Sequence, residues 1–208
     1  MNSQDLKTIA VIGAGAMGQQ IAMNTAINGR KLGYNVILCD SFEKAVEKAS
    51  AWADTYLKGR VEKGRLTAEE ADFVKQHLTI TSDVDGAAAK ADFIIEAIIE
   101  DLKVKRELFQ RISRICKPDA ILSTNSSNIV SSKLADVTEN PSRLLNVHYF
   151  NPALVMKLVE LVKGPHTSDE TIEIAKAFAV NTGKSPIVIQ KEIPGFVANR
   201  INAAVTHE

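Results

Sequence analysis

The sequence predicts an α/β protein built on a Rossmann-type, doubly wound, mostly parallel sheet of about eight strands with an inserted helical pair. Three observations predict it. Short β-type runs alternate with helical stretches along the chain. The early runs, Ile9-Ala10-Val11-Ile12 and Val36-Ile37-Leu38, lack polar alternation, as expected where helices cover both faces of parallel strands. Near the N-terminus a strand, a Gly13-x-Gly15-x-x-Gly18 turn and a helix follow one another.

Taken in order, the strands fall at Thr8–Ile12, Asn35–Cys39, Leu78–Thr81, Phe93–Ile95, Ile121–Ser123, Leu144–His148, Lys157–Val162 and Pro186–Ile189. The helical pair occupies residues 42–77: Phe42 to near Lys63, a turn at Gly64, then Thr67 opening a second helix with Glu70 three positions on, a capping box. This is more than a plain crossover needs. Residues 1–193 read as one domain, and Pro194-Gly195 marks a boundary after which 194–208 begin another.

Composition narrows the function classes. In 208 residues, 45% hydrophobic and 24% charged content describes an ordinary globule. Twenty-five basic residues balance twenty-five acidic ones, so no global field favours nucleic acid or an anionic membrane. No apolar run reaches membrane-spanning length, and a cytoplasmic location is expected. Cys39 and Cys116 sit among apolar neighbours outside any metal or redox motif, so no metal is expected.

The glycines of the turn have distinct steric roles, with a tight turn at Gly13, close approach of backbone to a pyrophosphate at Gly15, and helix–strand packing at Gly18. The helix start that follows, with Ala16 and Met17, faces the phosphates. Asp40, twenty-two residues after Gly18, suits a ribose 2′-hydroxyl and would repel a 2′-phosphate, which favours NAD over NADP. Asp40 could equally cap the helix that follows.

A second signal is a carboxylate inside an apolar strand. In Leu158-Val159-Glu160-Leu161-Val162, alternation puts Glu160 on the face of Leu158 and Val162, where a charge is costly without a partner. His148 is the nearest candidate. A core histidine bonded to backbone, or an ion pair of Glu160 with Lys157 or Arg143, is the plainer alternative. Ser126-Ser127-Asn128 could likewise only cap the next helix.

At His148-Tyr149-Phe150-Asn151-Pro152 and Met156-Lys157-Leu158-Val159-Glu160 the sequence resembles the L-3-hydroxyacyl-CoA dehydrogenase family. Glu96-Ala97-Ile98-Ile99-Glu100, Leu102-Lys103-Val104-Lys105, Thr124-Asn125-Ser126-Ser127 and Pro194-Gly195-Phe196-Val197-Ala198-Asn199-Arg200 extend the resemblance from end to end. It implies NAD-dependent, reversible oxidation of a 3-hydroxyacyl-CoA thioester to the 3-oxoacyl-CoA. His148 would be base and acid, Glu160 its orienting partner, and Ser127 and Asn199 ligands of the substrate oxygen. Glu100, Lys105, Ser127 and Asn151 would lie at the nicotinamide end of the cofactor. Lys58 and Lys63, with Arg60 and Arg65, form a basic cluster that could meet the CoA phosphates or be merely a solvated helix face. A dehydrogenase of a free hydroxy or sugar acid and a non-catalytic NAD(H)-binding protein are the alternatives.

Two departures from the family pattern stand out. Asn28-Gly29-Arg30-Lys31 looks like an insertion of about one helical turn, which should bulge away from the pyrophosphate. Family members also continue past Asn199-Arg200 into a helical domain that forms a homodimer, whereas this sequence ends at Glu208.

Overall fold

The alternation of apolar positions along the strands sorts the core into two layers, one on each face of a single sheet. The computed structural model describes residues 5–206. Eight strands, β1 (Thr8–Ile12), β2 (Asn35–Cys39), β3 (Leu78–Thr81), β4 (Phe93–Glu96), β5 (Ile121–Thr124), β6 (Leu144–Tyr149), β7 (Leu158–Val162) and β8 (Ser185–Ile189), lie in the order β3-β2-β1-β4-β5-β6-β7-β8. All neighbours run parallel except β6 and β7. The eight expected strands are found, β1 to β3 with the expected ends and the other five with one end shifted by one residue.

The helices are α1 (Ala16–Gly29), α2 (Glu43–Glu62), α3 (Ala68–His77), α4 (Val84–Lys90), α5 (Leu102–Ile115), α6 (Ser132–Ala135), α7 (Asp169–Asn181) and α8 (Ala198–Thr206). Ile9, Val11, Val36, Leu38, Phe93 and Val147 point to one face and pack with α1, α2, α3 and α7. Ala10, Ile12, Ile94, Leu122 and Leu144 point to the other and pack with α4, α5 and α6. This is the three-layer doubly wound arrangement, its strands apolar on both sides. Among the described residues no helix is long and apolar enough to cross a membrane.

Order reverses at β1, which lies between β2 and β4. In such sheets a crevice opens beyond the carboxyl ends of the strands at the reversal, and the functional loops gather there. The helical pair forms as expected: the Thr67 hydroxyl accepts from the Glu70 N–H and the Glu70 carboxylate accepts from the Thr67 N–H.

The Asn28–Lys31 segment lengthens the C-terminal end of α1 and then tightens into a 3-10 turn, Arg30–Leu32, closed by Gly33 in the left-handed region. Arg30 pairs with Glu70 of α3, and the Gly29 α-carbon is packed so closely on Tyr34 that an added Cβ would fall 2.4 Å from its ring. The register of β2 against β1 is regular from Thr8↔Asn35 to Ile12↔Cys39. The extra turn is therefore absorbed at the end of α1 remote from its glycine-rich start.

Asp92 fastens the opposite end of the sheet. One oxygen accepts the N–H groups of Lys7 and Thr8, both at 2.8 Å, and the other accepts from the Lys117 ammonium at 2.5 Å. Burial by itself would raise its pKa, but these donors outweigh burial and hold it below the usual carboxylate value. A depressed folded-state pKa gives stability that is present above the unfolded value, about 3.9, and lost as pH falls through the lower folded value. Asp92→Asn is accordingly expected to destabilise the fold by about 2 kcal/mol near neutral pH. Denaturant titrations of both forms should show that gap closing below about pH 4; a gap independent of pH would contradict the ionic origin.

Candidate functional site

Three loops meet at the carboxyl ends of β1, β4 and β5, and each is shaped by its sequence. After β1, Gly13 takes φ +108 and donates its N–H to the Cys39 carbonyl at 2.7 Å. A Cβ there would lie 2.6 Å from the Ala97 carbonyl oxygen, so the β1 and β4 loops touch through this glycine. At Gly18 a Cβ would fall 1.7 Å from the Gly13 oxygen, which makes the third glycine a packing requirement. At Gly15 a Cβ would meet nothing within 4 Å. That position lines an open cleft, and it is also the N-cap of α1, where no side chain satisfies the first N–H groups. The turn at Gly13 and the packing at Gly18 are as expected, and the open N–H groups at Gly15 are a donor set that fits a pyrophosphate.

The cleft has a volume of about 840 Å³ and is lined by Gly13, Gly15, Ala16, Met17 and Asp40, with the apolar Phe42, Ile99 and Val104 opposite. Asp40 stands at the end of β2, its carboxylate accepting the N–H of Ala14 at 2.8 Å and of Phe42 at 3.0 Å. It thus ties the glycine loop to the start of the helical pair, while Phe42 itself is the N-cap of α2. The adjoining hollow, about 240 Å³, is lined by Met17, Ala97, Glu100, Lys105 and residues Asn125 to Asn128.

A buried charge cluster supports that hollow. Glu96, at the last position of β4 and wholly inaccessible, accepts the Ile98 N–H at 2.8 Å, the Thr124 hydroxyl at 2.6 Å and the Lys105 ammonium at 2.5 Å. Lys105 is also 3.5 Å from Glu100. Glu100 accepts from the Ser126 hydroxyl and, at 3.2 Å, from the Asn128 N–H. Burial pushes the Glu100 carboxyl up, but the Ser126 hydroxyl, the Lys105 charge and nearby N–H groups together hold it below its ordinary value. The role of Glu96 was not anticipated from the sequence. The signal was available: a carboxylate ending the apolar run Phe93-Ile94-Ile95, the same anomaly that marks Glu160.

His148 and Glu160 face each other directly across the antiparallel β6–β7 pair. That register brings both side chains to one face. His148 Nδ1 lies 2.8 Å from Glu160 Oε2, and Nε2 lies 2.9 Å from Ser127 Oγ. Since a carboxylate only accepts, Nδ1 carries the proton and Nε2 presents a lone pair in the neutral ring. The other oxygen of Glu160 accepts the N–H groups of Val197 and Ala198, at 3.1 and 2.9 Å, at the start of α8. Phe150 and Phe196 meet the imidazole edge to face, with centroids at 4.6 and 5.3 Å. Neither alternative pairing of Glu160 forms among the described residues, and Arg143 pairs with Glu170 instead.

The remaining candidates are spread around this centre. Ser126 caps a local turn through the Asn128 and Ile129 N–H groups, which leaves Ser127 free for the imidazole. Asn146, two positions before His148 on β6, holds the same loop: it accepts the Ser131 N–H at 2.7 Å and donates to the Ser126 and Ile129 carbonyls. It too was not singled out from the sequence, because a buried asparagine in a strand carries no distinctive spacing. Asn199 is exposed on the first turn of α8, next to the Ala198 N–H that binds Glu160. Asn151 is exposed just past the end of β6. Lys58, within 4.0 Å of Glu62, borders a groove between α2 and α3, and Lys63 is exposed at the end of α2; neither lines the cleft or the hollow. Burial raises the Cys39 thiol to about 12, so it is inert.

A family model described as 3-hydroxyacyl-CoA dehydrogenase, NAD binding domain, matches residues 8–193. The chain is 38% identical over 197 residues to a 3-hydroxyadipyl-CoA dehydrogenase of Escherichia coli (strain K12), covering 95% of this chain and 40% of that protein. It is 36% identical over 204 residues to a probable 3-hydroxybutyryl-CoA dehydrogenase of Bacillus subtilis (strain 168), covering 98% of this chain and 69% of the relative. The crystal structure of an (S)-3-hydroxybutyryl-CoA dehydrogenase from Ralstonia eutropha superposes with a TM-score of 0.89 at 34% identity, over 97% of this chain and 69% of that one. The chain spans 40% of the Escherichia coli relative and 69% of the Bacillus subtilis one, and it belongs to the 3-hydroxyacyl-CoA dehydrogenase family, of which it carries the NAD-binding domain.

Proposed function

We propose that the protein oxidises the hydroxyl of an L-3-hydroxyacyl-CoA thioester to the 3-oxo group, reversibly and with NAD. The observation that carries this reading is the line Ser127–His148–Glu160, with hydrogen bonds of 2.9 and 2.8 Å, which begins at the small hollow adjoining the glycine-loop cleft. NAD, when bound, supplies the hydride acceptor. The protein's own part is the proton. His148 Nε2 accepts the hydroxyl proton as the C–H bond of the same carbon breaks, and the imidazolium so formed is stabilised by the Glu160 carboxylate, which is hydrogen-bonded on both oxygens. In reverse, His148 returns that proton to the forming alkoxide.

Ser127 and Asn199 are assigned to the substrate oxygen, and Glu100, Lys105 and Asn151 to the nicotinamide end, on the strength of the family resemblance. Gly13, Gly15, Ala16, Met17, Gly18 and Asp40 would hold the dinucleotide. Lys58 and Lys63 are assigned to the CoA phosphates on sequence grounds alone. A cytoplasmic location, and a homodimer made through a helical domain beyond residue 194, belong to the same proposal.

Activity with a short L-3-hydroxyacyl-CoA but not with the free 3-hydroxy acid is the expected result of an NADH-formation assay. NAD binding without turnover of either compound would favour a non-catalytic protein. His148→Gln should lower turnover by about 10²- to 10⁴-fold while leaving NAD affinity within about two-fold. A parallel loss of NAD binding would overturn the division of roles. Glu160→Gln should lower turnover by roughly 10²-fold and loosen α8, read as faster amide exchange at Val197 and Ala198.

A further inference from the structure

The cluster beneath the small hollow does not balance. It holds two carboxylates, Glu96 and Glu100, and one ammonium, Lys105. Lys105 is spent on Glu96: the two touch at 2.5 Å, with side chains 1% and 0% exposed, whereas Glu100 is a full ångström further away and 41% exposed. One oxygen of Glu100 accepts from neutral donors, the Ser126 hydroxyl and the Asn128 N–H, and the other shares Lys105 at the longer distance of 3.5 Å. Two carboxylates against one ammonium leave the group net negative, and of its two members that line the hollow, Lys105 is buried against Glu96 while Glu100 is the one that is open to it.

We propose that Glu100 makes this hollow discriminate between the two redox states of the cofactor, favouring the positively charged oxidised ring over the neutral reduced one. The proposal rests on the reading given above, in which the nicotinamide end of NAD enters the hollow. The ring is cationic before it accepts hydride and neutral afterwards, so a fixed anion at its side binds the two states unequally while hydrogen bonds to its amide do not. Charge is conserved across the reaction. The alcohol loses a hydride to the ring and a proton to His148, so the positive charge that leaves the ring reappears on the imidazole. Glu100 thus favours the state before transfer and Glu160 the state after it, and the two carboxylates act in opposite senses on one equilibrium.

The test is a titration of the whole chain with NAD⁺ and, separately, with NADH, in the wild type and in Glu100→Gln. The substitution keeps an acceptor for Ser126 and Asn128 and removes only the charge. The ratio of the two dissociation constants is expected to shift about ten-fold against NAD⁺, most of it through weaker NAD⁺ binding. In the wild type the preference should shrink as salt is raised from about 0.05 to 0.5 M, because a partly exposed charge is screened. This second measurement needs no variant. Glu107→Gln, at the far side of the larger cleft, should change both constants alike and leave the ratio in place. Equal weakening of both forms in Glu100→Gln, or a salt-independent ratio, would overturn the proposal and leave the NAD reading intact. A wild-type chain that binds neither form would overturn both.

Discussion

One cross-strand contact organises this molecule: an imidazole and a carboxylate opposed on the antiparallel pair β6 and β7. The rest of the sheet is parallel, and a parallel neighbour would offset such a pair along the strands instead of setting it face to face. Reversing the direction of β7 is what lets two residues twelve positions apart meet at hydrogen-bonding distance inside the core. Glu160 is fully buried, yet each of its oxygens has donors, so the desolvation cost of the charge is offset within the site. The loops respond to this pair: Ser127 reaches the outer nitrogen of the imidazole, and Asn146 on the same strand face fixes the loop that carries Ser127.

Much of this was legible from the chain, for identifiable reasons. Parallel strands buried on both faces announce themselves as short apolar runs, and Ile9-Ala10-Val11-Ile12 and Val36-Ile37-Leu38 fell where those runs placed them. The glycines were legible because steric exclusion is local. A Cβ at Gly18 collides with the carbonyl of Gly13, five residues away in the same turn. The dyad was half legible: alternation gave the face of Glu160, but only the β6–β7 register shows that His148 lies opposite.

What the sequence hid is long-range. Glu96 finds Lys105 nine residues on, in the α5 crossover, and Thr124 twenty-eight on, at the end of the next strand. Asn146 holds a loop from strand β5. Phe196 reaches the imidazole across forty-eight residues, in the left-handed conformation with φ 49 that an aromatic side chain seldom adopts. Each depends on topology that no local pattern states. The two anomalies of composition, carboxylates ending or interrupting apolar strands at Glu96 and Glu160, share one explanation: each is paired with a nitrogen base or cation supplied by a neighbouring element.

The connector from β8 to α8 is hydrogen-bonded to Ser127 and Glu160 by main-chain groups, while the Phe196 ring packs on the imidazole. Gly195 donates its N–H to the Ser127 carbonyl, and Val197 and Ala198 donate theirs to Glu160. Such a clasp reads no side-chain identity, so drift at Val197 or Ala198 leaves it closed. Proline is the exception, since it brings no N–H. The carboxylate bonded to the imidazole is thereby also the peg on which the last described helix hangs, and a displacement of that helix reaches His148 through the single side chain of Glu160.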